Sequence, residues 1–421
     1  MNPHGVFRSD RVAKQVKQET DTMQAQTVLH KLLMNTCAMM HKTRRESLAA
    51  NILGALTGRR LTVTDIGRSI RSSTSHKHNI KRADRLLSNM HFHQDSMAVY
   101  RSLCRLLVGS QTRPVIVIDW SDMDAYKQHF VLRAALVAKG RALTLYEEVH
   151  TIKTKEKLVT HRQFLARLKH CLPDHCRPIL VTDAGFRTTW FQLVEALGWD
   201  WVGRVRNRHY VRWLSGGRWF DAKRCYAWAT SHPKHLGAAV LTVRNQIRCQ
   251  LVIYQGRLQG RKHKNHLGEI ASNAYSRKKA TAQREPWLLA TSLPPSSTLA
   301  KQAVKLYQCR MQVEEGFRDI KSHRFGLGLN YHRTQSAVRL QMLLLIANLA
   351  CIVLWLIGLA TVHRGQHYQF QANSVRHKRV LSLLFIGLQM MHDTRIQLTH
   401  DDLNMAWLQL IDLLHEQQGQ S

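Results

Sequence analysis

The chain has 421 residues, with 62 lysines and arginines against 28 aspartates and glutamates, for a formal net charge of +34. A charge of that size argues against a merely soluble basic protein and indicates a polyanionic partner, most commonly a nucleic-acid backbone. The eight cysteines include no CxxC pair. We interpret His170-Cys171 and His175-Cys176 as helix-end and loop residues rather than zinc ligands. Unpaired thiols fit a reducing cytoplasm.

The N-terminal part, residues 1–108, is predicted to be helical and basic, and its polar start lacks the pattern of a signal peptide. Leu61–Ile70 is typical of a capped helix, and Asn79–Asn89 is a second, basic helix after a polar joint. Together they suggest a helix-turn-helix over residues 61–89, with its second helix on DNA. The basic residues of that helix, which would contact DNA, are Lys81, Arg82 and Arg85.

An α/β pattern occupies residues 109–335. Two short apolar runs, 114–119 and 178–183, each end in a carboxylate, as buried strands can. The other elements predicted here are strands over 130–138, 142–150, 199–206 and 287–293, and helices over 164–171, 189–197 and 298–322.

A β-rich insertion is predicted over residues 207–284. Between residues 204 and 284 there are 18 lysines and arginines against two acidic residues, with aromatic residues interleaved. Such a mixture suits nucleic-acid phosphates and bases. The alternative is that these aromatics form the small core of the insert, and we expect half or more of them to do so. Gln259–Arg284 and the chain termini are the stretches predicted to be disordered.

The C-terminal part, residues 336–421, is predicted to be helical to its end. Leu340–Val362 runs 23 residues without a charge, which is long enough to span a membrane. It contains Gln341 and Asn348 and stands alone in a strongly basic chain. We therefore interpret it as a buried helix of a helical domain and predict no membrane partner.

One helical face carries an unusual set of polar side chains. Tyr307, Arg310, Glu314 and Lys321 stand at offsets 0, 3, 7 and 14, within about 60° of one another on an α-helix. A carboxylate beside a phenol, a guanidinium and an ammonium suits holding a metal and binding phosphates. The neighbouring Glu315 points about 100° away, so we prefer Glu314 as the ligand.

Three carboxylates can form one site. Asp119 and Asp183 end two strands and Glu314 comes from a helix, and hard oxygen ligands suit Mg²⁺ or, as a substitute, Mn²⁺. Two such ions roughly 3.5–4 Å apart can activate an attacking oxygen and stabilise a leaving one. We predict two ions per site and phosphodiester chemistry. Asp122 and Asp124 are interpreted as surface or supporting acids.

These motifs resemble those of bacterial insertion-sequence transposases of the DDE type. The resemblance is to the hairpin-forming IS-four family, closer to the Tn-ten type than to the Tn-five type, over roughly residues 30–405. The matching motifs are Val-Ile-Asp119-Trp-Ser-Asp, Val-Thr-Asp183-Ala-Gly-Phe, Tyr-x₂-Arg-x₃-Glu-x₆-Lys from Tyr307, His78-Asn-Ile-Lys-Arg, Asp84-Arg-Leu-Leu and Glu285-Pro-Trp-Leu-Leu-Ala-Thr.

The resemblance implies an RNase H-like catalytic core split by the β-rich insertion, between helical N-terminal DNA-binding and C-terminal domains. It implies the DDE roles for Asp119, Asp183 and Glu314. It further implies that Tyr307, Arg310 and Lys321 contact phosphates of the transposon end. It also implies that Trp287 stacks on a flipped base and that Met311 fills the space this base leaves in the duplex. The alternatives are core packing for Tyr307, a buried strand aromatic for Trp287 and a solvated lysine for Lys321.

The sequence therefore predicts a bacterial, cytoplasmic and nucleoid-associated cut-and-paste transposase. It would bind double-stranded DNA as a homodimer in a synaptic complex, excise its element through a hairpin and join 3′-hydroxyl ends to target DNA. Three alternatives remain open: an RNase H-like nuclease or resolvase without strand transfer, an inactive transposase-derived DNA-binding regulator, and a membrane-anchored protein.

Overall fold

The computed structural model describes residues 25–206, 209–256, 269, 274, 284–393 and 397–416. Within these ranges, helices cover one mixed β-sheet of ten strands. Apart from three single residues, the stretch 259–284 that we predicted to be disordered lies outside the described part, as do the extreme termini.

The sheet brings together the two strands that end in aspartate. Strands β1, β4 and β5 are parallel, and all other neighbours are antiparallel. The order is β3-β2-β1-β4-β5-β10-β9-β8-β6-β7. The strands are β1 (Val115–Asp122), β2 (His129–Val137), β3 (Ala142–Thr151), β4 (Ile179–Thr182), β5 (Asp200–Val205), β6 (Tyr210–Trp213), β7 (Phe220–Asp221), β8 (Lys234–Leu241), β9 (Ile247–Tyr254) and β10 (Trp287–Thr291).

The central strands form because their side chains are apolar on both faces. Val115–Ile118 and the whole of β4 are buried, as expected for parallel strands covered by helices. Since β1 and β4 are adjacent and parallel, with Ile118 opposite Thr182, their carboxyl ends meet at one edge of the sheet. Asp119 and Asp183 follow directly.

The strands of the insertion extend the core sheet. β6–β9 lie between β5 and β10 along the chain, and β9 pairs with β10, where Tyr254 stands opposite Trp287. Of the insertion aromatics, Tyr210 and Trp228 are exposed, and Tyr275 lies outside the described residues. Those that pack against the core are Trp213, Phe220, Tyr226 and Tyr254, so the expectation that half or more would do so is confirmed.

The described N-terminal residues are largely helical. Thr62 caps α3 by accepting a hydrogen bond from the Asp65 backbone N–H at 3.0 Å. A Cβ added to Gly67 would lie 2.4 Å from the Ile80 Cα, so glycine permits the close packing of α3 on α4. The helices are α1 (residues 25–36), α2 (Lys42–Gly58), α3 (Val63–Ser69), α4 (His76–Leu87) and α5 (Met90–Val108).

The helix predicted without a break over residues 298–322 is two helices, so that prediction was wrong. After α6 (Leu158–Cys171) and α7 (Thr188–Glu195), the chain forms α8 (Leu299–Gln308) and α9 (Met311–Lys321). Between them the backbone N–H groups of Arg310 and Val313 bond three residues back, to Tyr307 and Arg310. This tighter winding turns the chain and aims Arg310 differently from a straight helix.

The long apolar helix is α10 (Ala337–His363), and 94% of its apolar window is buried inside the fold. Its polar residues bind β3: Gln341 donates to the Glu147 carbonyl at 2.8 Å, and Asn348 to the Thr144 carbonyl at 3.2 Å. The helix is long and apolar enough to cross a membrane. Its burial fits our interpretation as a core helix.

The prediction of helix to the chain end was too broad. α11 (Leu383–Met390) and α12 (His400–Glu416) follow α10, but residues 364–382 contain only a short 3₁₀ turn. Gly365 has φ 69°, the left-handed conformation that commonly ends a helix.

Candidate active site

Asp119 and Asp183 lie side by side where β4 ends, and β1 continues three residues beyond Asp119. The Asp119 side chain is largely buried, and its Oδ1 accepts the Trp120 backbone N–H at 2.9 Å. Asp183 Oδ1 accepts the Gly185 N–H at 2.8 Å, which turns the chain away from the sheet. The two local hydrogen bonds hold both carboxylates at the sheet edge.

Glu314 reaches the same edge from the first turn of α9. Arg310 joins it to Asp119: the guanidinium Nη1 lies 2.5 Å from Glu314 Oε1 and 3.6 Å from Asp119 Oδ2. Asp119 thus has the other two predicted metal ligands, Asp183 and Glu314, as charged neighbours, and the Arg310 guanidinium lies between Asp119 and Glu314.

The charges around Asp119 favour a cation close to its carboxylate. Burial raises the pKa of Asp119 to about 7, helped by the charges of Asp183 and Glu314 and opposed by Arg310. A carboxyl in such surroundings ionises readily only when a cation is near.

Glu315 faces elsewhere. Its carboxylate lies 2.9 Å from Arg318 and 3.5 Å from Arg141. Adjacent residues on a helix point about 100° apart, which accounts for the different surroundings of Glu314 and Glu315. Asp122 forms an ion pair with Lys127 at 3.8 Å, and Asp124 accepts the His129 backbone N–H at 2.8 Å, as expected for surface or supporting acids.

The three carboxylates fit divalent ions by chemistry, because their oxygens are hard ligands and Asp119 lacks full charge compensation. Among the residues that the structure describes, no group of three histidine, cysteine or acidic side chains stands close enough to hold an ion. The His-Cys pairs at 170–171 and 175–176 likewise form no such cluster. The Arg310 guanidinium lies between Asp119 and Glu314.

Lys321 holds the end of β1. Its ammonium donates to Ser121 Oγ at 2.7 Å and to the backbone carbonyl of Asp122. Burial, and secondarily the charge of Arg133, lowers the pKa of Lys321 to about 8. The alternative of a solvated lysine is therefore wrong, since this side chain binds the chain just beyond Asp119.

Tyr307 and Trp287 pack together beside the carboxylates. Tyr307 is 5% exposed, its ring lies edge-on to Trp287 at 4.9 Å, and the Arg310 guanidinium lies 5.9 Å from its centroid. Burial raises the pKa of Tyr307, whose hydroxyl bonds to Arg204. Trp287 is only partly buried and also contacts Tyr254. Core packing thus describes Tyr307 in this conformation, whereas Trp287 keeps an open surface.

The remaining residues predicted to contact DNA lie on two helices, α9 and α4. Met311 is partly buried, with its sulfur 3.4 Å from Arg310 Nη2. On α4, Lys81 and Arg85 are exposed, but Arg82 donates to the Glu46 carbonyl of α2 at 3.3 Å. Arg82 therefore also ties α4 to its neighbour.

Sequence reasoning missed Arg133. It stands opposite Asp119 in the β1–β2 register and is 4% exposed. Its guanidinium pairs with buried Glu147 at 2.6 Å and lies 4.2 Å from the centroid of the Phe317 ring on α9. It thereby links the sheet beneath Asp119 to the helix that carries Glu314. The available signal was a single arginine in the otherwise apolar β2.

Comparison with known proteins agrees with this geometry. The family model described as "Transposase DDE domain" matches residues 110–351, more than half of the chain. No curated protein matches the chain. The family has an RNase H-like core, with which the mixed sheet and its helices are consistent. The chain belongs to the DDE transposases, metal-dependent enzymes that cut DNA and generally use ions such as Mg²⁺.

Proposed function

We propose that this protein is a cut-and-paste transposase of the hairpin-forming group, acting on the inverted-repeat ends of its own element. The observation that carries the proposal is the proximity of Asp183 and Glu314 to the buried Asp119, with Arg310 between Asp119 and Glu314. The net charge of +34 suits a DNA substrate. A cytoplasmic location and a homodimer on two DNA ends belong to the same proposal.

The three carboxylates would hold two Mg²⁺ ions, with Mn²⁺ as a substitute. Such ions, when bound, make water nucleophilic and stabilise a leaving oxygen. The protein itself contributes alignment. Arg133 and Lys321 hold α9 and the end of β1, so that ligands from two strands and one helix keep their relative positions.

Arg310 connects DNA binding with ion binding. In this conformation it forms ion pairs with Glu314 and Asp119, so an ion that joins those two carboxylates must displace it. A DNA phosphate is an equally good partner for a guanidinium. Binding of a DNA end would therefore draw Arg310 away and free the carboxylates.

The DNA end would lie against Arg310, Lys321, Tyr307 and Trp287. The open surface of Trp287 suits stacking of a flipped base, with Met311 in the space that the base leaves. On α4, Lys81, Arg85 and, in part, Arg82 would contact phosphates farther along the duplex.

Four in-line displacements at one site complete the proposed reaction. Water attacks the scissile phosphorus and releases a 3′-hydroxyl, which then attacks the opposite strand to form a hairpin. A second water reopens the hairpin, and the 3′-hydroxyl attacks target DNA. Each step exchanges one phosphoester oxygen for another, so positioning suffices and no covalent protein intermediate is needed.

A strand-transfer assay tests this proposal. The substrate is a pre-cleaved duplex that carries the inverted repeat found beside the coding region, and the target is plasmid DNA. We expect joined product from the natural chain and none from Asp119→Ala. Cutting of uncleaved ends without any joining would favour the nuclease alternative, and end binding without cutting would favour the regulator.

A further inference from the structure

Two loops leave the sheet at the edge that carries the aspartates. Residues 123–128 connect β1 to β2, and residues 152–157 connect β3 to α6. The loops are neighbours because His129, at the start of β2, pairs with Thr151, at the end of β3. β1 extends three residues beyond Asp119, so the loops begin about 10 Å from it. We call residues 123–128 and 152–159 the rim surface.

The rim surface exposes large apolar side chains. Tyr126 is 87% exposed, Ile152 67%, Val159 55% and Leu158 44%. A single exposed apolar residue is ordinary, but four in two adjacent loops and the first turn of α6 indicate a contact surface. No described residue covers Tyr126 at the tip of its loop.

The rim surface is also basic. Lys153 and Lys157 are exposed, and Arg162 follows them on α6. Lys127 and Lys155 lie near Asp122 and Glu156, at 3.8 and 3.5 Å, so those charges offset one another. The surplus is positive. Lysines among apolar and aromatic side chains suit the phosphates, sugars and base edges of DNA.

The position of the rim surface is informative. In the sheet order, Trp287 lies on β10, on one side of β1 and β4, whereas the rim loops leave β2 and β3 on the other side. A duplex that meets Trp287 and is cut at the aspartates continues toward β2 and β3.

We propose that the rim surface binds the duplex beyond the scissile phosphate. This duplex is the flanking DNA, which is continuous with the transposon end until the end is cut. The inference rests on the proposed function, because it requires a scissile phosphate at Asp119 and Asp183.

The test compares two matched triple variants of the full chain. The rim variant is Tyr126→Ala with Lys153→Ala and Lys157→Ala. The control changes an exposed tyrosine and two exposed lysines elsewhere: Tyr368→Ala, Lys139→Ala and Lys169→Ala. Both lysines of the control lie at the opposite end of the sheet, after β2 and near the end of α6.

Three DNA probes separate the sources. The first is an end duplex that stops at the cleavage position, and the second adds about 20 base pairs of flank, two helical turns. The third is a random-sequence duplex offered as target to the complex with the first. We expect the rim variant to bind the first probe normally. On the second probe, the slope of its log K against log salt should become less steep by about 2, because two lysine–phosphate contacts are lost. On the third probe it should bind as the control does.

Each outcome decides the inference. Loss on the second probe supports the inference, and loss confined to the third overturns it, because the rim surface would then bind target DNA instead. Equal behaviour of the rim and control variants on both probes overturns the inference, as does a change in oligomeric state with normal DNA binding, which would make the rim surface a protein interface. If the natural chain fails to bind the first probe, the proposed function fails, and the inference with it.

Discussion

At the scale of single residues, the charge balance of Asp119 governs the site. It lies within reach of two other acids, and Arg310 is the cation that compensates. The arrangement makes the ion-free protein sensitive to pH and makes Arg310 a competitor of any metal.

The stability of the ion-free protein should depend on Asp119 as pH changes. Its pKa is about 7 in the folded chain against about 4 when unfolded, so ionisation costs the folded state more. The protonated Asp119 side chain therefore contributes fully to the stability of the folded state below about pH 4, and this contribution is lost as pH rises through about 7. Asp119→Asn should therefore unfold at higher denaturant concentration at pH 8, by on the order of 2 kcal/mol, in the presence of EDTA.

The difference between Asp119→Asn and the natural chain should shrink toward acidic pH. Asp124→Asn is the control: its carboxylate accepts backbone N–H groups that hold its pKa below the usual range, so the substitution should destabilise at neutral pH. A stability difference for Asp119→Asn that is independent of pH would contradict the account.

Removal of Arg310 should tighten Mn²⁺ binding in the absence of DNA. Its charged hydrogen bond to Glu314 and its ion pair with Asp119 are lost when an ion enters, so Arg310→Ala should raise affinity roughly tenfold. Calorimetric titration of the free chain measures this. Arg318→Ala, which removes the same charge beside Glu315, should leave the affinity nearly unchanged. Weaker Mn²⁺ binding by Arg310→Ala would show that Arg310 and the ion do not compete for the same carboxylates.

At the scale of elements, the turn after α9 and the break before it set the position of Glu314. After α9 the chain turns back on the helix, because the Leu327 N–H donates to the Asp319 carbonyl at 3.0 Å. The break at Cys309–Arg310 was not predictable, since neither residue is a glycine or proline and the tighter winding arises from tertiary packing.

Two glycines at either end of this region should respond oppositely to alanine. A Cβ on Gly326 would lie 1.6 Å from the Asp319 carbonyl oxygen, so Gly326→Ala should destabilise by about 2 kcal/mol or more. On α9, the nearest contact of a Cβ at Gly316 is 3.6 Å, so Gly316→Ala should be neutral or stabilising by about 0.5–1 kcal/mol. Chemical denaturation compares them; equal effects would contradict the turn geometry.

At the scale of the whole molecule, sequence patterns predicted the buried strands of the core better than the side-chain contacts between its elements. The strands that end near Asp119 and Asp183 were predictable because buried apolar runs are short and end abruptly. Arg133 opposite Asp119 required the strand register, and Lys321 on the end of β1 required the fold. Whether the apolar segment 340–362 is a core helix or a membrane span depends on the elements packed around it, which the sequence of the segment does not give.

Burial of α10 has a direct consequence for the whole chain. Because 94% of its apolar window is inside the fold, the protein should be recovered after lysis without detergent. Sedimentation with membranes in the presence of high salt, which removes charge-driven association, would contradict this. Substitution of exposed Val338, near the start of α10, should leave recovery unchanged.

The assignment of Glu314 as the third ligand is the central claim, and nicking of the inverted-repeat end tests it most directly. Single-turnover cleavage should be compared for Glu314→Gln and Glu315→Gln, two adjacent glutamates with different surroundings. Loss of an ion ligand costs several kcal/mol, so Glu314→Gln should cut about a thousandfold more slowly while still binding the end. Glu315→Gln should cut nearly normally. The reverse order, or equal rates, would contradict the account.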